Sequence, residues 1–209
     1  MKTHTKETQA TMTPEKSLQF LKEGNERFQN NLKANRNLLQ QVNETSDGQF
    51  PFAVILSCID SRVPAELVFD QGIGDIFSVR VAGNIVNEDI LGSIEYGCKV
   101  AGSKVVVVLG HTACGAVKGA CDDVKLGNIT PLLAKIKPAV KAVKEPTDTA
   151  ARTGSNDKFV GEVVYKNVQV SIDQIKANSQ VLTDMEAGNE IIIVGAVYDV
   201  ASGKIDFLD

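Results

Sequence analysis

The sequence has little of what would mark a nucleic-acid or membrane protein. Its 22 lysines and arginines are outnumbered by 26 aspartates and glutamates, so the net charge is −4. Such a balance offers no basic surface for nucleic acid or anionic lipid. The longest apolar stretches, such as residues 105–109, are far shorter than the roughly 20 residues that span a bilayer. We therefore expect a soluble protein with neither nucleic acid nor membrane as partner.

Histidine is scarce and cysteine is not abundant, which restricts the kinds of site that can form. Four cysteines in a chain of 209 residues do not make a disulfide framework. Of the two histidines, His4 lies in a polar N-terminal stretch, so His111 is the only histidine of the expected folded body. A site that needs two or three histidines therefore cannot be assembled within one chain.

The N-terminal residues lack the apolar segment of a secretory signal. We therefore expect a cytoplasmic protein, whereas a leader removed before this chain was defined would leave no trace here. Residues 1–12 are polar and predict a mobile tail. Thr13 and Pro14 are typical of a helix start, and one helical face then carries Leu18, Leu21, Phe28 and Leu32.

The remaining chain, 13–209, predicts a single α/β domain. Apolar runs at 52–56, 76–81, 105–109 and 191–194 are typical of buried parallel strands. Helical spacing at 90–101 and 116–126 separates them, and 201–203 predicts a hairpin turn into 204–208. This order favours a central, mainly parallel β-sheet flanked by helices, with an N-terminal helical arm and a C-terminal hairpin.

The residues of greatest chemical interest follow two of these strands. Cys58 comes after the first strand, and His111 and Cys114 come after the third. Ligands of open α/β sheets collect at the carboxyl ends of strands. Two thiolates and one imidazole suit zinc and leave a fourth position open for water or substrate. Asp60 and Arg62 follow Cys58 closely, and such residues can form a two-pronged ion pair. An aspartate at this position could orient a ligand, accept a proton from zinc-bound hydroxide or ligate the metal itself.

Two of these motifs together, C-I-D-S-R at 58–62 and H-T-A-C-G-A at 111–116, resemble the paired signature of the β-class carbonic anhydrases. The resemblance extends over nearly the whole chain. Similar segments are L-K-E-G-N-E-R-F (21–28) in the N-terminal helix, V-R-V-A-G-N (79–84) and S-I-E-Y-G (93–97) in the centre, and G-A-V-Y-D-V-A-S-G-K-I (195–205) in the closing hairpin.

The resemblance implies reversible hydration of CO2 to bicarbonate and a proton by a zinc-bound hydroxide, with one Zn²⁺ per subunit. Cys58, His111 and Cys114 would be the zinc ligands. Asp60 and Arg62 would be the catalytic dyad, with Arg62 holding Asp60 off the metal. The resemblance also implies a homodimer or a dimer of dimers. The residues that would face CO2 or bicarbonate are Gln49, Phe77, Ala82, Tyr96 and Gly115.

The chain resembles the plant-like branch of the family, in which the metal site stays open, because it has no tryptophan and carries Gln49. The bicarbonate-inhibited branch carries a tryptophan shortly before its first zinc cysteine. Two thiolates cancel the formal charge of the metal, so zinc in this site should acidify its water less than zinc in an all-histidine site. We therefore predict higher activity at alkaline pH. The sequence leaves open whether Asp60 moves onto zinc at low pH.

Several alternatives remain at this point. Relatives on the same scaffold hydrolyse COS or CS2, and a catalytically silent zinc-binding module is a second alternative. Cys98 and Cys121 lie in helical patterns and are interpreted as core residues. Three further alternatives concern predicted site residues: Gln49 as a turn residue, Phe77 and Tyr96 as core aromatics, and Asp60–Arg62 as a structural ion pair.

Overall fold

A computed structural model describes residues 3–208. The strands are β1 (Ala53–Ser57), β2 (Ile76–Arg80), β3 (Val105–His111), β4 (Ile192–Tyr198) and β5 (Ile205–Phe207). The helices are α1 (Lys6–Ala10), α2 (Pro14–Gln29), α3 (Leu38–Glu44), α4 (Ala65–Val68), α5 (Glu88–Glu95), α6 (Gly115–Cys121), α7 (Ile129–Ala134), α8 (Lys137–Ala142), α9 (Asp157–Asn178) and α10 (Gln180–Ala187).

The five strands form one sheet in the order β2-β1-β3-β4-β5, and β5 alone runs antiparallel, against β4. Every residue of β1 and β3 is buried, as expected for central parallel strands covered by helices on both faces. The structure therefore confirms the predicted α/β fold, including the C-terminal hairpin. No helix among residues 3–208 is long and apolar enough to cross a membrane.

Alternate residues of the central strands pack into two separate cores because successive side chains of a strand point to opposite faces. Val54 and Val106 pack with α9, whereas Ile55 and Val107 pack with Leu21 of α2. The sheet is thus held between a helical layer that contains α9 and the N-terminal helices.

Helix α2 of the N-terminal arm begins where the sequence predicts, but the segments before and after this helix differ from the prediction. The Thr13 side chain accepts from the Lys16 backbone N–H and caps α2. Leu32, expected on the buried stripe, lies beyond the helix and is 68% exposed. Within the stretch predicted as a mobile tail, α1 is folded, and the Gln9 amide donates to the carbonyls of Pro51 and Ala101.

Helix α6 is shorter than the sequence predicts, since it ends at Cys121 rather than near residue 126. Asp123 has a φ of 55°, a left-handed conformation that is incompatible with a continuing right-handed helix. The segment after it instead turns into α7.

Candidate metal centre

The carboxyl ends of β1 and β3 bring the two predicted ligand motifs together. The strands are parallel neighbours, with Ser57 opposite Leu109. Cys58 follows β1 directly, His111 is the last residue of β3, and Cys114 precedes α6. The two sulfur atoms and one histidine ring nitrogen all lie within 4.8 Å of one another, and all three residues are buried.

This donor set fits a zinc ion. Bonds of about 2.0–2.3 Å in tetrahedral geometry place ligand atoms roughly 3.3–3.8 Å apart, and the three donor atoms already lie within 4.8 Å of one another. The Nδ1 atom of His111 lies 2.9 Å from the Thr112 carbonyl oxygen. Because a carbonyl can only accept, Nδ1 carries the proton and Nε2 carries the lone pair. Nε2 is buried and has no hydrogen-bond partner, as expected of a nitrogen that coordinates a metal ion.

The two thiols have opposite pKa shifts. Hydrogen bonding with Cys114 lowers the pKa of Cys58 to about 4 against the opposing effect of burial, and the hydrogen bond from the Gly83 backbone N–H acts in the same direction as Cys114. The same contact with Cys58, reinforced by burial, raises the pKa of Cys114. The metal-free pair therefore holds one thiolate and one thiol, so binding of zinc would release the proton of Cys114.

Asp60 and Arg62 form a two-pronged ion pair at the edge of this cluster. Arg62 Nε donates to Asp60 Oδ1 at 2.9 Å, and Arg62 Nη2 donates to Oδ2 at 2.7 Å. Asp60 Oδ2 lies 3.9 Å from His111 Nε2. Hydrogen bonds from Arg62 hold the pKa of Asp60 well below its usual range, so the carboxylate is ionised at neutral pH and can only accept hydrogen bonds.

A second arginine, which no sequence pattern indicated, holds the backbone of the same loop. Arg80, at the end of β2, donates from Nε to the Cys58 carbonyl at 3.0 Å and from Nη2 to the Asp60 carbonyl at 2.7 Å. One guanidinium thus fixes the backbone on both sides of Ile59. The resemblance at 79–84 includes this arginine but gave no sign of its contacts.

The turn at Ala82–Asn84 supplies a backbone donor to the metal cluster. The Gly83 N–H donates to Cys58 Sγ at 3.3 Å. Gly83 has a φ of 71°, and a Cβ there would approach Ile136 Cδ1 to 2.6 Å. The backbone conformation therefore favours glycine at this position, and a Cβ would also require the Ile136 side chain to shift.

The residues predicted to face substrate divide into two groups. Ala82 is adjacent to Gly83, and Gly115 follows Cys114, so both border the metal cluster. Phe77 is paired with Val54, three residues before Arg80, and packs edge-on against Tyr96 at 6.2 Å in a surface groove beside β2. Gln49 is exposed in the loop before β1, at the edge of the sheet opposite Cys58.

The two cysteines interpreted as core residues are away from the metal cluster. Cys98 is buried in the apolar core, and burial raises its pKa to about 12. Cys121 is half-buried at the end of α6, with its pKa raised by burial to about 11. Neither belongs to the cluster of metal-binding donors.

The site combines two cysteines, one histidine and a neighbouring Asp–Arg pair at the carboxyl ends of parallel strands. This combination defines a class of zinc enzyme. The carbonic anhydrase family model matches residues 53–205. Carbonic anhydrase 2 of Mycobacterium tuberculosis is 36% identical over 187 residues, which cover 88% of this chain and 87% of that protein.

Solved structures extend the likeness to the fold. The β-carbonic anhydrase CafA of Aspergillus fumigatus superposes with a TM-score of 0.70 and 28% identity, over 82% of this chain and 81% of that chain. A tetrameric β-carbonic anhydrase of Sordaria macrospora shares the fold with a TM-score of 0.67 and 23% identity, over 81% and 89% of the two chains. The chain described here belongs to the β-class carbonic anhydrase family.

Proposed function

We propose that this protein is a zinc-dependent carbonic anhydrase that interconverts CO2 and bicarbonate. The observation that carries the proposal is the Asp60 carboxylate, held ionised by Arg62 beside the three donors of the metal cluster. A purely structural zinc site is closed by four protein ligands. Among residues 3–208 the cluster offers three His or Cys ligands and places an ion-paired carboxylate beside them.

Cys58, His111 and Cys114 would hold one zinc ion per subunit. Zinc in such a site lowers the pKa of a water ligand and so supplies a nucleophile near neutral pH. The remaining tasks fall to residues of the chain: to orient the reacting oxygen, to keep Asp60 ionised and to let a proton leave.

Asp60 is the residue that we assign to orientation. Its carboxylate accepts hydrogen bonds only, so it would accept one from the attacking O–H group, which keeps its proton, and so turn the oxygen lone pair toward CO2. Arg62 uses two donors on Asp60 and thereby restrains it from approaching the metal. Since the Arg62 side chain is 49% exposed, water reaches this side of the site and offers a route for the released proton.

The substrate side would be formed by two groups of residues, one beside the metal cluster and one remote from it in the same chain. Ala82 and the backbone N–H of Gly115 border the site from within the chain. Gln49 lies at the far end of β1, a strand whose residues advance by about 3.3 Å each, so it cannot reach the metal of its own chain. We assign Gln49, and with it Phe77 and Tyr96, to a site completed by a neighbouring subunit in a dimer or dimer of dimers.

We further propose the open-site branch and a reducing, cytoplasmic setting. The chain has no tryptophan to occupy the position used by the bicarbonate-inhibited branch. All four cysteines are free, and zinc ligation requires reduced Cys58 and Cys114.

The test is stopped-flow CO2 hydration by the zinc-loaded protein from about pH 6.5 to 9, with chelator-stripped protein as control. We expect zinc-dependent activity that rises smoothly with pH. A steep onset above about pH 8 would mean that Asp60 closes the metal at lower pH, and the open-site assignment would fail. Absence of CO2 hydration in the zinc-loaded protein would overturn the proposal, and COS and CS2 turnover measured in parallel would then decide for the alternative hydrolase.

A further inference from the structure

Two polar residues of α9 lie outside the metal cluster but are connected to it through the backbone. We propose that Asn167 and Ser171 are positioning residues for the metal centre: they hold the turn at 82–84 so that the Gly83 N–H is aimed at Cys58 Sγ. This inference rests on the proposed function, because it concerns the same zinc site.

Asn167 and Ser171 interrupt an otherwise apolar helix face. They are four residues apart and therefore lie on the same side of α9. Their exposed fractions are 1% and 3%, and they are surrounded on this face by Val164 and Val168, which pack on the sheet. A buried polar side chain is unfavourable unless it is hydrogen-bonded, so the partners of these two residues indicate their role.

Both residues donate to the same turn. Asn167 Nδ2 donates to the Gly83 carbonyl at 2.8 Å, and Ser171 Oγ donates to the Asn84 carbonyl at 3.0 Å. The two contacts therefore fix successive peptide groups of the turn. The next peptide group toward the N-terminus carries the N–H that reaches Cys58 Sγ at 3.3 Å.

The turn requires such support because its backbone is in a sparsely populated conformation. Gly83 has a φ of 71° and Asn84 a φ of 43°. A non-glycine residue in this region persists only where its surroundings hold it. The Asn84 side chain does not provide the support, because its buried Nδ2 has no hydrogen-bond partner. Within the turn the Asn84 N–H donates to the Val81 carbonyl at 3.0 Å, and the two contacts from α9 add to this bond by fixing the carbonyls of Gly83 and Asn84.

Loss of the hydrogen bonds from Asn167 and Ser171 would affect the metal site. An N–H donated to a ligand sulfur withdraws electron density from it and fixes its position, and loss of a comparable outer contact in metalloproteins costs about 10–100-fold in metal affinity. We therefore expect substitutions at 167 and 171 to change the zinc–sulfur bond, although neither side chain touches the metal.

The test compares zinc release and the cobalt spectrum in matched variants. Asn167→Leu and Ser171→Ala remove the donors at similar volume, Ser171→Thr retains the hydroxyl, and Ile175→Val trims a buried apolar residue of the same helix. Zinc release to a chelator is followed by a colorimetric indicator. The thiolate-to-cobalt charge-transfer band of the Co²⁺-substituted protein reports the sulfur ligands directly.

We expect Asn167→Leu to release zinc about tenfold faster than the unmodified protein and to shift the charge-transfer band. Ser171→Ala should change both in the same direction, and Ser171→Thr should restore them. Ile175→Val should lower thermal stability but leave both readouts unchanged.

Wild-type release rates and spectra in both Asn167→Leu and Ser171→Ala would overturn the inference. So would equal effects from Ile175→Val, because the readouts would then report helix stability alone. If Asn167→Leu does not fold, the Ser171→Ala and Ser171→Thr pair decides. A wild-type protein that binds neither Zn²⁺ nor Co²⁺ would instead overturn the proposed function, so the two failures are distinguishable.

Discussion

Asp60 has both carboxylate oxygens engaged by Arg62 while it lies beside the only histidine of the metal cluster. The ion pair keeps the carboxylate charged and restrains its position. Those two effects separate its proposed role from that of the ligands: removal of a ligand should remove the metal, whereas removal of the Asp60 charge should remove turnover.

We therefore predict that Asp60→Asn retains zinc and loses activity by about 10²-fold or more, the range of a lost proton acceptor. Cys114→Ala should lose the zinc itself. Zinc content by atomic absorption and CO2 hydration by stopped-flow measure both. The matched control is Asp123→Asn, which removes an exposed ion pair with Lys137 and should leave both unchanged. Full activity in Asp60→Asn would refute the assigned role.

The cysteines should differ in reactivity according to their environments. Cys58, with its pKa lowered to about 4 by hydrogen bonding with Cys114, is a thiolate at pH 8, whereas Cys98, with its pKa raised to about 12 by burial, is a neutral thiol. Since the thiolate is the reactive form, iodoacetamide should modify Cys58 before Cys98 in zinc-free protein. Peptide mass spectrometry gives the order, and prior zinc loading should protect Cys58. Faster labelling of Cys98 would contradict the prediction.

At the scale of elements, the N-terminal arm is fastened to the body by a buried charge cluster. Asp70 is paired with Arg27 from α2 at 2.6 Å and with Arg36 from the segment before α3 at 2.7 Å. Burial alone would raise the pKa of Asp70, but the hydrogen bonds from Arg27, from the Ala34 N–H and from Arg36 prevail and lower it. The carboxylate is therefore ionised in the folded protein, and its charge joins two parts of the arm.

We predict that Asp70→Asn lowers the free energy of unfolding by about 3 kcal/mol at pH 7, because it removes the charge that is paired with the buried Arg36 guanidinium at 2.7 Å. The folded-state pKa of Asp70 lies below its unfolded value of about 3.9. Its stabilising contribution is therefore present above that pH and is lost as pH falls through the lower folded-state value.

Urea denaturation at pH 7 and at about pH 3 measures this difference. The gap between wild type and Asp70→Asn should narrow at the lower pH. Asp157→Asn, which breaks an ion pair in which the aspartate side chain is 86% exposed, should cost less than about 1 kcal/mol. Equal costs for the two variants would show that burial of the Asp70 cluster is unimportant.

At the scale of the whole molecule, the N-terminal arm exposes a group of neighbouring apolar side chains on α3. Leu38, Leu39 and Val42 of α3 are 53%, 78% and 47% exposed. Contiguous exposed apolar groups of this kind are typical of interaction surfaces. They agree with the proposed dimer or dimer of dimers, in which Gln49, located just after α3, would face another subunit.

We predict that the protein sediments as two or four chains and that Leu39→Glu shifts it toward the single chain. The charge would be buried without a partner in the assembly, which is unfavourable. Leu126→Glu, at a leucine that is 62% exposed elsewhere on the surface, is the matched control. Sedimentation velocity gives the masses. A wild-type single chain at micromolar concentration would contradict the prediction and remove the basis for assigning Gln49 to a neighbouring site.

Much of the fold could be predicted from the sequence because uninterrupted apolar runs, such as those of β1 and β3, occur in few other settings than a covered parallel sheet. The meeting of Cys58 with His111 and Cys114 follows from the same pattern, since carboxyl ends of neighbouring parallel strands share an edge. The place of Gln49 in the substrate site did not follow from the pattern, because it rested on the resemblance alone, whereas the strand predicted at 52–56 already separates Gln49 from Cys58.

The supporting contacts could not be predicted. Asn167 and Ser171 are remote in sequence from Cys58, and a polar residue on a helix is ordinarily interpreted as solvent-exposed. Arg80 acts through two backbone carbonyls, which have no signature in the side-chain sequence. The end of α6 is set by the left-handed backbone of Asp123, a conformation that aspartate adopts only in part of its occurrences.

The order of the ligands along the chain has a consequence for how the protein acquires its metal. All three proposed ligands are synthesised by residue 114, but the helix that donates to the carbonyls of the Gly83 turn begins only at residue 157. A growing chain on the ribosome thus carries two thiols and an imidazole before the element that arranges their surroundings exists. We expect the apoprotein to gain high zinc affinity only when α9 has docked, so that metal uptake marks the completion of folding rather than its beginning.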